Sequence, residues 1–472
     1  MSSQEVSRQD TDERQEPLSG TPRRPAQAGP PAVPALAIEP PAAVPATAAV
    51  PPAQAGPPAT ALLPAAAGPA TAARPAPAAG PPPLSAAARP GVAAQAGQAA
   101  AAAFAAFTGR PMARYQAAVV RIGFALVVLV QLLREWPGSR ELYGDRSPWS
   151  LDMARRLAQQ THAFSVLEWQ DGCWWFEACY ALTVLAAVLM LLGWRTRFSS
   201  VAFLVGVLSV QNRGVLVGDG GDNLVHLMAI YLAFTRCAEV WSLDARRRDR
   251  GAAPGVGGVL LWGVAAGLLG WAQLTGRISW ASAGGWSGPG WAALFWTLWA
   301  VAGLWWVVNR RWPAGEGRAV LDALGSMVHH CALFMVGAQV VLVYATAGLY
   351  KVQGPRWQDG TALYYPLHLD YFTPWPGLSA LLGSSALLVF AFSYGTVLLQ
   401  VAFPFTLVNR RLKNVLLAVM VLEHLGIAVL LGLPVFSLAM IAADAVFLPT
   451  GLLLWLDRRA GEWRPGRRPR PA

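Results

Sequence analysis

Two lysines stand among 472 residues otherwise supplied with arginine, Lys351 and Lys413. Lys351 follows Ala347-Gly348-Leu349-Tyr350 at the end of a long apolar run. Apolar surroundings penalise an ammonium more than an amine, so a buried lysine gives up its proton readily. The neutral amine is then a general base. Arginine has no such chemistry because it stays protonated. The plainer reading of Lys351 is an anchor whose ammonium snorkels to the membrane surface. A second group opens another apolar run: Asp222, Asn223 and His226. Asp222 and His226 are four residues apart and share a helix face, where an acid can orient an imidazole. Asp219 or Asp222 can equally be a carboxylate capping the helix start. A third group lies deep in apolar segments: Glu423 and His424 in one, Asp444 in the next. Ionisable residues at membrane depth are costly and call for a function. Polar pairing between helices and a proton path are the two options, the first being commoner.

Other polar residues point less clearly. His329 and His330 sit in the inner half of their apolar run, and Arg121 in the first one. The histidines do not share one depth, which argues against paired haem ligation. Cys173, Cys179, Cys237 and Cys331 show no CxxC pair and no metal spacing, so they read as buried inert thiols. No metal site is expected.

The elements that must position these residues are membrane spans. The chain is 54% hydrophobic and only 13% charged, against roughly 25% charged in soluble domains. It carries 21 tryptophans, a residue that collects at membrane–water interfaces. A span needs about 20 mostly apolar residues. Ten segments qualify: 115–133, 173–193, 198–217, 222–240, 257–274, 291–309, 325–350, 379–408, 414–432 and 435–456. The expected fold is an all-α polytopic bundle of about ten transmembrane helices behind a disordered N-terminal tail.

Charge orients it. The net charge of +11 comes from short arginine clusters between apolar segments. That distribution reflects topology rather than a nucleic-acid partner. With ten spans, Arg195/Arg197, Arg246–Arg248, Arg310–Arg311, Arg410–Lys413 and Arg458–Arg470 all fall on one side, with both termini. The positive-inside rule makes that side cytoplasmic. Any site then lies at the outer face, among loops rich in Asp, Gly, Trp and Tyr. Heavy use of Ala, Pro, Gly and Arg suggests a bacterial source, and hence the plasma membrane.

Residues 1–110 are Ala/Pro-rich and carry too little apolar surface to offset chain entropy. They are expected to form a disordered cytoplasmic tail, free of a signal peptide, with a short helix over 93–107. Whether it has a protein partner is open. Residues 458–472 form a second, Arg-rich tail.

The motifs carry a resemblance. Arg121-Ile122-Gly123 leads to Glu141-Leu142-Tyr143-Gly144-Asp145, then Asp219-Gly220-Gly221-Asp222-Asn223 and Trp241-Ser242-Leu243-Asp244. Ala347-Gly348-Leu349-Tyr350-Lys351, Trp357-Gln358-Asp359-Gly360-Thr361-Ala362, Phe403-Pro404-Phe405 and His424-Leu425-Gly426 follow. In this order they resemble the horizontally transferred transmembrane (HTTM) domain family, which includes the vitamin K-dependent gamma-carboxylase. The resemblance covers 112–457, with 251–320 as an inserted pair of spans. It implies an outward-facing site in which Lys351 is the base on a reduced menaquinone or vitamin K-type quinol. Tyr350 and Trp357 would lie beside that quinol, and Asp222, Asn223 and His226 would form a nearby polar cluster. The implied chemistry couples quinol epoxidation to carboxylation. Two departures stand out. The carboxylase has an Asn-His pair shortly before its counterpart of Trp241-Ser242-Leu243-Asp244, where Asp222-Asn223 appear here. The last expected span ends at 456 and the sequence at 472, so no lumenal domain for a tethered protein substrate is expected.

Two readings remain. One is a carboxylase-like membrane enzyme acting on a quinol. The other is a non-catalytic membrane protein, a transporter or assembly factor, in which the same residues are structural. No inverted repeat is visible, which counts against the transporter.

Overall fold

The computed structural model describes residues 92–109, 111–251, 256–280 and 289–462. The expected disordered tail up to residue 91 and the Arg-rich end from 463 lie outside the described residues. Among those described, all regular structure is helical, without a strand. Besides the 11-residue Leu151–Thr161 and shorter helical turns, the helices are α1 (Val92–Gly109), α2 (Arg114–Glu135), α3 (Cys173–Leu192), α4 (Thr196–Arg213), α5 (Gly220–Phe234), α6 (Gly257–Leu274), α7 (Trp291–Arg311), α8 (Glu316–Gln353), α9 (Ala386–Thr406), α10 (Arg410–Leu430), α11 (Pro434–Asp444) and α12 (Thr450–Glu462).

Local chemistry sets the boundaries. Asp219 and Asp222 form a reciprocal capping box at the start of α5. Ser385 caps α9 and Asn409 caps α10 through their side chains. Pro434 opens α11, where its missing N–H costs nothing. Gly193 closes α3 at φ 64°, and a Cβ there would strike the Arg121 guanidinium. Only glycine suits that conformation and that approach.

α2 buries one stripe, Ala117, Arg121, Phe124, Val128 and Leu132, at helical spacing. It packs against α3 and α11, and α3 in turn packs on α4. α11 is the shared partner, touching α2, α5, α8 and α10. α8 and α9 pack closely: a Cβ on Gly348 would lie 2.8 Å from Val401 Cγ2 and 3.1 Å from Val401 N.

Seven helical segments are long and apolar enough to cross a membrane among the described residues. They are Phe104–Leu142, which contains α2, together with α3, α6, α7, α8, α9 and α10. An eighth is reached if Pro434–Phe447 and Thr450–Ala460, bent by 103°, count as one. The expected count was ten; three segments, 198–217, 222–240 and 435–456, account for the difference, and a fourth, 379–408, is counted but shortened to α9. The segment 198–217 is α4, whose run from Thr196 to Arg213 is seeded with Arg197, Ser199, Ser200, Ser209, Gln211 and Asn212. Most of it is buried against other helices, so it needs no uniformly apolar surface. The segment 222–240 stops as a helix at Phe234, where Thr235 turns extended. Its 15 residues span about 22 Å, short of a hydrocarbon core of roughly 30 Å. The segment 379–408 is a short helix, Pro376–Gly383, and a fresh start at Ser385. The segment 435–456 breaks before Pro449, which has no N–H to continue the ladder.

Some of the arginine-bearing turns are tied to one another. Asp244 accepts from the backbone N–H of Arg195 and Thr196 at 2.9 and 2.7 Å. Arg121 donates to the carbonyls of Met190 at 3.0 Å and Trp241 at 2.7 Å. Tyr115 and the Trp241 indole both donate to Asp457. Arg197 and Arg236 both lie over the Trp305 ring.

Candidate functional site

α8 presents its last three turns to α9, α10 and α11. Lys351 is not an outward anchor. Its Nζ donates to Gln400 Oε1 on α9 at 2.7 Å, and Gln400 Nε2 donates to Glu423 Oε1 on α10 at 3.1 Å. The amine lies 5.2 Å from the centre of the Trp357 ring. The close approach at Gly348 brings Gln400 within reach, because a larger residue one turn before Lys351 would push α9 away.

Two turns further along α8, about 10 Å by helical rise, a second set of contacts begins. The Tyr344 hydroxyl is 2.8 Å from Asp444 Oδ2 on α11 and 3.1 Å from His424 Nε2 on α10. All three side chains are buried. Phe403 and Phe436 pack against Tyr344 and His424 respectively. His424 Nδ1 and Asp444 Oδ1 are also buried, and neither has a hydrogen-bond partner among the described residues.

The expected site residues therefore divide. Lys351 and Trp357 are together. Tyr350 is 77% exposed and turns away from the network. Asp222, Asn223 and His226 are on α5, and no hydrogen bond or ring contact joins them to Lys351 among the described residues. Asp222 is occupied at the helix start: its Oδ2 accepts from Asp219 N at 2.8 Å and its Oδ1 from Gln131 Nε2 at 3.0 Å. Asn223 is exposed. His226 is half-buried and makes no hydrogen bond to the described residues. The expected pairing of acid and imidazole is absent there because the carboxylate caps its own helix. The pairing exists instead at Asp444 and His424, with Tyr344 between them. Sequence reasoning missed Tyr344 and Gln400. Gln400 did carry a signal, being a lone amide within the apolar run of α9.

The loop after α8 frames this end. In the Trp357-Gln358-Asp359-Gly360-Thr361 stretch, Asp359 Oδ1 accepts from Thr361 N and Oγ1 at 2.9 and 2.5 Å. Those bonds hold its carboxyl below the usual aspartate range. Asp359 thus fixes a turn rather than facing the network. On the other half of the molecule Glu168 is buried in the loop before α3 with Oε1 unpartnered. Burial pushes its carboxyl up to about 7, against the opposing pull of Arg213 and Arg155. No three His, Cys, Asp or Glu side chains converge as metal ligands would among the described residues.

Residues 316–451 match the family model of the HTTM domain. The chain carries an HTTM domain. Its matched stretch runs from the start of α8 to the start of α12, so it contains every member of the polar network. Of the motifs behind the resemblance, the four from Ala347 to Gly426 lie inside the match and the four from Arg121 to Asp244 outside it. No curated protein and no solved structure matches the chain. The HTTM domain and the apolar helices mark an integral membrane protein.

Proposed function

We propose that this HTTM protein works as a membrane enzyme in which Lys351 is a proton acceptor for a membrane quinol at the outer face of the bundle. The observation that carries the reading is the inward bond from Lys351 Nζ to Gln400, backed by Glu423. A surface anchor would leave that amine in water. Here it is held in place by a neutral amide, which orients it without locking its charge.

The donor set suits a quinol. Its ring matches the face of Trp357, and its hydroxyls find an amine, an amide and a carboxylate. A quinol bound there would supply reducing equivalents for oxygen chemistry of the epoxidation and carboxylation type. The chain's own part is to take a hydroxyl proton onto Lys351 Nζ, to hold that amine with Gln400, and to balance the resulting ammonium with Glu423. Asp222, Asn223 and His226 belong to this reading as a polar group on α5 that supports the outer face. The same reading places both termini in the cytoplasm of a bacterial cell, with the bundle in the plasma membrane. In it α4, α5 continued by the non-helical stretch 235–240, and the bent α11–α12 pair complete ten spans.

The test combines Lys351→Arg with quinol-dependent oxygen consumption by the purified full chain. Arginine keeps the charge and cannot become a neutral base. Undiminished consumption in that variant overturns the reading, as does the lack of any quinone in lipid extracts of the wild type. A transporter is the second reading, favoured by one observation: Tyr344, His424 and Asp444 are joined to one another in the bundle interior.

A further inference from the structure

Tyr344 has a single hydroxyl proton, and that fact gives the buried triad a direction. With the proton on the bond to Asp444 Oδ2, the contact with His424 Nε2 must be an imidazole N–H donating to the tyrosine oxygen. His424 Nδ1 is then a bare lone pair. It lies in a residue 2% exposed and has no partner among the described residues. A buried acceptor left unpaired is expensive. It is a lone pair open to a proton.

We propose that His424, Tyr344 and Asp444 form a proton wire through the bundle interior, with His424 Nδ1 as its entry and Asp444 as its terminus. One proton arrives at Nδ1. The Nε2 proton moves to the Tyr344 oxygen, and the hydroxyl proton moves to Asp444 Oδ2. The imidazole ends neutral in its other tautomer, the tyrosine neutral, and the carboxylate becomes a carboxylic acid. The same heavy atoms then fit the reversed bonds: Asp444 O–H donates to Tyr344, and Tyr344 O–H to His424 Nε2. No atom other than hydrogen moves, so the two distances serve both states.

The surroundings leave the wire to itself. The charged groups facing it are Glu423, next to His424 on α10, and Lys351, reached through Gln400. From α2, Gln116 is bound to Leu448 O and Thr450, and Arg121 to Met190 O and Trp241 O. From α5, His226 makes no hydrogen bond. The wire goes beyond the quinol reading and stands without it, because a proton-coupled transporter has the same use for one. The rival is static polar glue between helices.

Infrared difference spectroscopy of the full chain in lipid nanodiscs, without added quinol, separates the two. On acidification the wild type should show a carboxylic-acid C=O band that shifts in D2O and is lost in Asp444→Asn. Tyr344→Phe keeps the ring against Phe403 and removes the relay, so the Asp444 band should fail to form or fail to exchange. His424→Gln keeps an amide donor for Tyr344 but passes no proton, and should behave alike, which covers a failure of the first variant to fold. Glu423→Gln should retain the band. An Asp444 band that forms and exchanges as in the wild type in both relay variants overturns the wire. So does the lack of any band assignable to Asp444.

Discussion

Two places in the molecule bring an acid and a histidine into apolar helices, and they use them differently. On α5, Asp222 spends both carboxylate oxygens at once, on Asp219 N and on Gln131. His226, one turn on, is left without a share in it. Between α10 and α11, Asp444 and His424 are joined through Tyr344, and each keeps one buried atom uncommitted. Sequence spacing favoured the first pair, because four residues on one helix is an obvious geometry. The second pair comes from different helices and is invisible to spacing. A helix start consumes nearby carboxylates, since its first N–H groups need acceptors. Asp444 is the last residue of α11, where no free N–H groups need an acceptor, and it is left for other work.

This contrast can be broken or sharpened by measurement. The largest expected effect is at Lys351. Lys351→Arg should lower quinol-dependent oxygen consumption by about 10²–10⁴, the usual weight of a general base, whereas Asp222→Asn should stay within a few-fold of the wild type. Equal losses in the two would erase the distinction. Next comes Gly348→Val, which forces apart α8 and α9 where Val401 N is already close. It should cost about 1–3 kcal/mol by overpacking, read from unfolding in detergent. Asp222→Ala should cost about 1 kcal/mol as the loss of a helix cap, with no change in the Asp444 infrared band.

The smallest effect concerns Glu168, an acid in the loop before α3 whose side chain neither caps a helix nor joins a network. Its folded carboxyl titrates near 7 because of burial, well above an unfolded glutamate near 4.3. Between those values the native state holds a proton that the unfolded state has lost. Stability therefore falls as pH rises through that window. Glu168→Gln should flatten the fall and unfold at higher temperature than the wild type at pH 8. A thermal profile unchanged from the wild type would mean that the Glu168 carboxylate finds a partner when it ionises.

Much of the architecture was legible because lipid demands long apolar helices. α3, α6, α7, α8 and α10 appear close to where apolar runs placed them. Less legible were helices shielded by other helices. α4 tolerates Ser199, Ser200 and Ser209 because protein surrounds them, and α5 is short because it need not meet lipid along its whole length. The break at Ser384–Ser385 was hidden by uniform hydropathy on both sides. For the site, Lys351 could be picked out as a lysine in an arginine-rich chain. Tyr344 could not, since a tyrosine in an apolar run looks like any interfacial aromatic. Its meaning depends on residues 80 and 100 positions away.

The guanidinium of Arg121 has a bearing on how the protein is made. Its two carbonyl acceptors belong to residues 69 and 120 positions downstream. At a synthesis rate of about 5–20 residues per second, the second of them follows Arg121 by roughly 6–24 s. Through that interval the Arg121 guanidinium on α2 lacks the second of its two carbonyl acceptors. It must wait at the headgroups, on the side from which it entered, until the Trp241 turn has been made. The last step in seating α2 thus belongs to a turn translated long afterwards, and a ribosome stalled before that turn should leave α2 unseated.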